Sequence, residues 1–163
     1  MSAFELLPAG AEDLPRIERL MQFYNYDLSE WCELEVGDGG LYNIRSKAAY
    51  WAQPGVRPYL LRVRGELAGF AVVDDEVLDP AAQFNMGYFF IARRYRGRGL
   101  GLPVVQELLR RHPGRWELYH YDSNVPAGRF WRKVLGQSAC AGLELRSVLM
   151  DDMPAQLYRF STA

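Results

Sequence analysis

The stretch "FFIARRYRGRGLGLP", residues 89–103, sets an apolar run against four arginines, Arg93, Arg94, Arg96 and Arg98, and then against three alternating glycines, Gly97, Gly99 and Gly101. The run QFNMGYFFIA (83–92) reads as a strand. LGLPVVQELLRR (100–111) reads as a helix, with Leu100, Val104 and Leu108 on one stripe and Gly101, Val105 and Leu109 on another. Pro103 fits because it falls in the first turn. A helix start has backbone N–H groups without internal partners and the positive end of the macrodipole. Removing Cβ atoms lets a bulky anion approach that backbone, and flanking arginines add charge-assisted hydrogen bonds worth about 1.5–3 kcal/mol each. A phosphate or pyrophosphate suits such a turn. No Lys-Ser/Thr follows the glycines and their spacing is not G-x-G-x-x-G, so neither a nucleotide-hydrolysing P-loop nor a dinucleotide fold is supported.

Outward from this turn, residues 4–7 read as a short strand, and a helix runs from about Asp13 with Leu14, Ile17, Leu20 and Met21 on one face. The aromatic and acidic segment that follows suggests a helical turn opening at Asp27, then a loop, then a short helix over Ser46–Ala52. Residues 58–75 form two strands joined at Arg64-Gly65. Beyond the glycine turn and its helix, His112-Pro113-Gly114 is a structural stop and RWELYHYD (115–122) is a strand. The next helix has Ser123 or Asn124 as N-cap and Gly136 beyond its end, and two more strands occupy about 139–149 and 154–161. The order β-α-α-β-β-β-α-β-α-β-β demands one parallel pair with a helical crossover beside antiparallel hairpins, hence an α/β fold on a mixed sheet.

At 163 residues the chain can bury roughly 70% of the surface it exposes when unfolded. It reads as one domain over 1–163. A net charge of −1 argues against a general nucleic-acid binder, leaving the arginine cluster a local feature. No apolar run approaches the roughly 20 residues that cross a bilayer, and the N-terminus meets acidic residues at once, so no membrane span and a cytoplasmic location are expected. Cys32 and Cys140 lie far apart without Cys/His ligand spacing, so no metal is expected.

The string Arg96-Gly97-Arg98-Gly99-Leu100-Gly101 resembles the R/Q-x-x-G-x-G/A motif of the GNAT superfamily of N-acetyltransferases, directly after an apolar strand. The block from Asn124 through Ala127, Phe130, Trp131 and Lys133 to Gly136 is similar to that family's N-x-x-A-x-x-F-Y-x-K-x-G pattern. The resemblance is firmest over about 82–136. It implies a mixed, mostly antiparallel sheet with one splayed parallel pair and about four helices, and acetyl-CoA or another acyl-CoA as co-substrate. The pyrophosphate would be held by backbone from Arg96 through Gly97, Arg98, Gly99, Leu100 and Gly101 to Leu102. The pantetheine arm would pair with backbone around Phe89, Phe90 and Ile91, where an N–H polarises the thioester. Asn124 would reach the cofactor, and Arg129 and Phe130 would lie along it, although Phe130 reads equally as helix core. A homodimer is compatible with the family.

Direct transfer needs a neutral amine, and freeing a lysine-like amine at pH 7 costs about 4.6 kcal/mol, so a base or a water relay is expected. The strand before the glycine turn holds no carboxylate, and Trp131 stands where the family often has a tyrosine acid. The substitutes are Tyr88 on the first strand, Tyr119, His120 or Tyr121 on the second, and the segment Tyr24, Tyr26, Asp27 and Glu30; Tyr88 reads equally as sheet packing and His120 as a half-exposed strand residue. Tyr24, Tyr26, Asp27 and Glu30 would border the acceptor, a small-molecule or peptide amine. Two further readings remain open: a catalytically silent acyl-CoA-binding module, and a nucleic-acid-binding domain using Arg93 to Arg98.

Overall fold

The computed structural model describes residues 4–44 and 47–163. Seven strands form one sheet: β1 (Glu5–Pro8), β2 (Arg57–Val63), β3 (Glu66–Asp74), β4 (Phe84–Ile91), β5 (Arg115–Tyr121), β6 (Cys140–Met150) and β7 (Met153–Thr162). Their order is β1-β2-β3-β4-β5-β7-β6. Among the described residues only β4 and β5 run parallel, joined through α3 (Gly101–Arg111) as a βαβ crossover requires. The other helices are α1 (Leu14–Leu28), α2 (Lys47–Trp51) and α4 (Val125–Gly136).

Strand alternation divides the core into two layers. Tyr59, Leu61, Ala71 and Val73 join Val104, Val105, Leu108 and Leu109 of α3 and Trp131, Val134 and Leu135 of α4 on one face. Leu60, Phe70, Val72 and Phe90 meet Ile17 and Met21 of α1 on the other, with Tyr50 and Trp51 of α2 packed against them. Arg64 and Gly65 both take positive φ, the geometry of a tight hairpin turn.

Two boundaries differ from the sequence reading, at Asp27 and at Gly136. Asp27 lies in the last turn of α1, because the helix continues through YNYDL, whose Tyr24 ring packs against Phe70. Asn124 is the N-cap of α4, its side-chain oxygen accepting from Ala127 N at 3.2 Å, and Gly136 is the last residue of that helix. Ser46, where the sequence starts the second helix, lies outside the described residues, and the described part begins at Lys47.

His112 closes α3 as a buried side chain, its Nε2 2.6 Å from Tyr59 Oη, while its carbonyl accepts from Trp116 Nε1 at 2.9 Å. Burial, then Arg57 and Arg111, push its pKa down. A histidine that stays neutral in the folded chain binds its proton less readily there than when unfolded. Its contribution is therefore present above about pH 6.5 and is lost as the pH falls through the lowered folded value. Urea melts at pH 7 and pH 5 should show lower stability at pH 5, and His112→Gln should shrink that difference. An unchanged pH dependence in the variant would refute the assignment.

Candidate active site

The parallel pair is short. β4 and β5 are in register only at Phe84 with Trp116 and Asn85 with Glu117, after which the strands part. On its other edge β4 carries a bulge: Val72 faces Tyr88 and Val73 faces Met86, so Gly87 is the extra residue. Between the parting strands lies a cleft of about 630 Å³ that reaches from the glycine turn to Tyr24, Tyr88, Tyr119 and Tyr121.

At the turn, Gly97 and Gly99 adopt φ of 73° and 72°, the left-handed region that side chains resist. Among the described residues, no backbone carbonyl accepts from the N–H groups of Gly97 through Leu102. Six N–H donors thus stand without a backbone acceptor at the start of an eleven-residue helix, an arrangement chemically suited to an anion. Two of the turn's arginines, Arg93 and Arg96, are already engaged. Arg96 donates to Ile91 O at 2.6 Å, lies over the Phe90 ring and pairs with Asp27, which also binds Arg93 at 2.7 Å. Burial pushes the Asp27 carboxyl up, but the hydrogen bonds from Arg96 and Arg93 outweigh it and hold the group below its ordinary range. Asp27 lines the cleft and is at the same time the counter-ion of the basic turn. Arg98 lines a separate groove with Arg94 and Glu66.

The cleft has an apolar wall. Phe89 stacks on Phe130 at 5.6 Å, and Trp131 closes edge-on against both rings. A Cβ on Gly101 would lie 2.4 Å from Phe130, so this glycine is needed for the ring to pack on the helix start. Asn124 lines the cleft, but its oxygen is committed to the α4 cap, which leaves the amide nitrogen for a ligand. Arg129 is exposed and is not among the cleft residues, whereas Lys133, one turn further along α4, is. That lysine was legible in the K of the second motif.

At the far end, Tyr24 and Tyr88 meet edge to face at 5.3 Å, and Tyr119 and Tyr121 at 5.9 Å. Burial raises the pKa of Tyr24, Tyr119 and Tyr121, and Asp151, which accepts from Tyr121 Oη at 2.9 Å, adds to the rise for the last two. Glu30 lines the cleft and Tyr26 does not, being 62% exposed. His120 reaches the cleft with both ring nitrogens engaged: Nδ1 lies 2.9 Å from Tyr121 O and Nε2 2.9 Å from Tyr158 Oη. The carbonyl can only accept, so Nδ1 carries the proton and Nε2 accepts from Tyr158. No lone pair is left for an amine.

A buried carboxylate does stand close by, on the neighbouring strand. Asp74 ends β3 opposite Asn85 and is 1% exposed. The run AVVDD held a signal for it, an acid ending an apolar strand.

The acetyltransferase (GNAT) family model matches residues 19–137, well over half of the chain. The chain belongs to the GNAT acetyltransferase family. No curated protein matches the sequence at a significant level. Solved structures of similar fold include an acetyltransferase from Thermus thermophilus, at 17% identity and a TM-score of 0.69, covering 97% of this chain and 96% of that one. A spermidine N-acetyltransferase from Vibrio cholerae in complex with CoA and spermine aligns at 12% identity and a TM-score of 0.69, covering 99% and 97%. An aminoglycoside acetyltransferase in complex with coenzyme A and kanamycin aligns at 22% and 0.65, covering 98% and 94%. The parting strands and the glycine turn of this GNAT chain therefore sit in a fold that spans nearly its whole length. Among the described residues, no helix is long and apolar enough to cross a membrane.

Proposed function

We propose that the chain transfers an acetyl group from acetyl-CoA to the primary amine of a small cationic acceptor. The observation that carries this reading is one cleft with unpartnered N–H groups at one end and tyrosines with acidic neighbours at the other. The N–H groups of Gly97 to Leu102 would hold the pyrophosphate, aided by the positive end of α3. The wall of Phe89 and Phe130 suits the pantetheine arm, which can pair with the β4 backbone that β5 leaves unpaired beyond Asn85. Acetyl-CoA supplies the activated thioester. A β4 backbone N–H by the bulge is placed in this reading to polarise its carbonyl.

The acceptor enters at the tyrosine end, where ring faces and the charges of Glu30 and Asp151 favour an ammonium group. Fold relatives bound to spermine and to kanamycin give the same direction. Of the hydroxyl and imidazole candidates, we assign Tyr88 the return of a proton to the departing thiolate, because it sits at the bulge. Tyr121, tied to Asp151, orients the acceptor, and His120, tied to Tyr158, shapes the wall. The test is release of CoA thiol from acetyl-CoA across a panel containing spermidine, kanamycin and simple diamines. Amine-dependent release is expected. Binding of acetyl-CoA with no release by any amine would favour the silent binding module and overturn the proposal.

A further inference from the structure

The Asp74 carboxylate accepts hydrogen bonds from Tyr50 Oη, from Asn85 Nδ2 at 2.9 Å and from Glu76 N at 3.1 Å. It differs in kind from the other fully buried acid. Glu117 is paired with Arg159 at 2.7 Å, whereas no cation lies within ion-pair distance of Asp74 among the described residues. An ionised group so placed is costly, and three donors without a counter-charge satisfy its lone pairs but do not neutralise it. Burial accordingly pushes its pKa up, against those hydrogen bonds.

Its position beside the cleft is made by one residue. A Cβ on Gly87 would lie 2.2 Å from Asp74 Oδ2 and 3.0 Å from Tyr50 Oη, so the pair exists only because the bulge residue is glycine. Gly87 lines the cleft, as does Tyr88, whose ring lies 6.2 Å from that of Tyr50. We propose that Tyr50 and Asp74 form a proton relay for the acceptor amine, an inference that rests on the acetyl-transfer reading above. The ammonium N–H bond breaks as a new O–H bond forms on Tyr50, and Tyr50's original proton passes to Asp74 Oδ2. Ammonium and carboxylate become amine and carboxylic acid, and Asp74 returns its proton to solvent between turnovers. The groups that face Asp74 are Tyr50 from α2, Asn85 from β4, Asp75 and Glu76 beyond β3, and Tyr119 from β5. None is cationic: Asp75 acts with burial to favour proton uptake, while the hydrogen bonds from Tyr50, Asn85 and Glu76 N hold the ionised form against it.

Two measurements test the relay. Carboxyl carbon-13 NMR on aspartate-labelled protein, with Asp74 assigned through Asp74→Asn, needs neither acyl-CoA nor amine. Asp74 is expected to titrate above the ordinary carboxylate range and higher still in Tyr50→Phe, which removes a bond to the ionised form. Titration at or below the ordinary range overturns the relay whatever the protein acetylates. With an amine that releases thiol, Tyr50→Phe should lower kcat at pH 7 roughly 100-fold with the acetyl-CoA KM unchanged. Its rate should then climb about tenfold per pH unit, as the free amine does. A wild-type rate and profile in Tyr50→Phe overturns the relay while acetyl transfer stands. No thiol release by the wild-type protein overturns both.

Discussion

Replacing Gly99 with valine is expected to weaken acetyl-CoA binding by at least about 100-fold while leaving the chain folded. Two effects act together. With φ at 72°, Gly99 holds the turn in a conformation that costs an ordinary residue roughly 1–2 kcal/mol. The added Cβ would meet no protein atom within 4 Å, so the valine would stand in open space at the turn, where the pyrophosphate is proposed to lie. Losing two charge-assisted hydrogen bonds at about 1.5–3 kcal/mol each accounts for the loss in affinity. The backbone strain alone should lower Tm by only a few degrees. Calorimetric titration of both proteins checks the expectation, and binding by Gly99→Val within tenfold of wild type would remove the turn from the site.

Glu117→Ala should be the most damaging single change to the fold, at about 3–5 kcal/mol. Its carboxylate, 1% exposed, accepts from Leu78 N at 2.6 Å, Asp79 N at 3.1 Å and Arg159 Nε at 2.7 Å. Truncation strands a largely buried guanidinium and two loop donors at once. The position matters as much as the energy, because Glu117 faces Asn85 in the last register of the parallel pair, where the cleft begins. Tm should fall by roughly 6–20 °C. Glu117→Gln, which retains one acceptor oxygen, should fall between the two. Urea denaturation showing a loss below about 1 kcal/mol would contradict this role.

The strand, glycine turn and helix were legible because their signals are local: an apolar run, a side-chain-free turn and a stripe at helical spacing. The parallel pair followed from connectivity, since a helix stands between the two strands. What the sequence could not disclose depends on contacts between distant segments. Asp27 looks like part of an acidic mouth until α1 brings it against Arg93 and Arg96, 66 and 69 residues away. His120 offers an imidazole on a cleft strand, but Tyr158, on β7, takes its remaining nitrogen. β4 itself holds no carboxylate, and only the register of β3 against β4 sets the acid Asp74 beside the bulge. Arg129 and Lys133 sit one helical turn apart in the second motif, and only packing tells which reaches the cleft.

The most direct test of the central claim is the melting temperature with and without acetyl-CoA. At a hundred times its dissociation constant a specific ligand adds about 2.7 kcal/mol, which should raise the midpoint by roughly 5–10 °C for a chain of this size. A rise of that order is the predicted result. An unchanged midpoint at millimolar acetyl-CoA would contradict the account, because the cleft and its glycine turn would then hold no acyl-CoA.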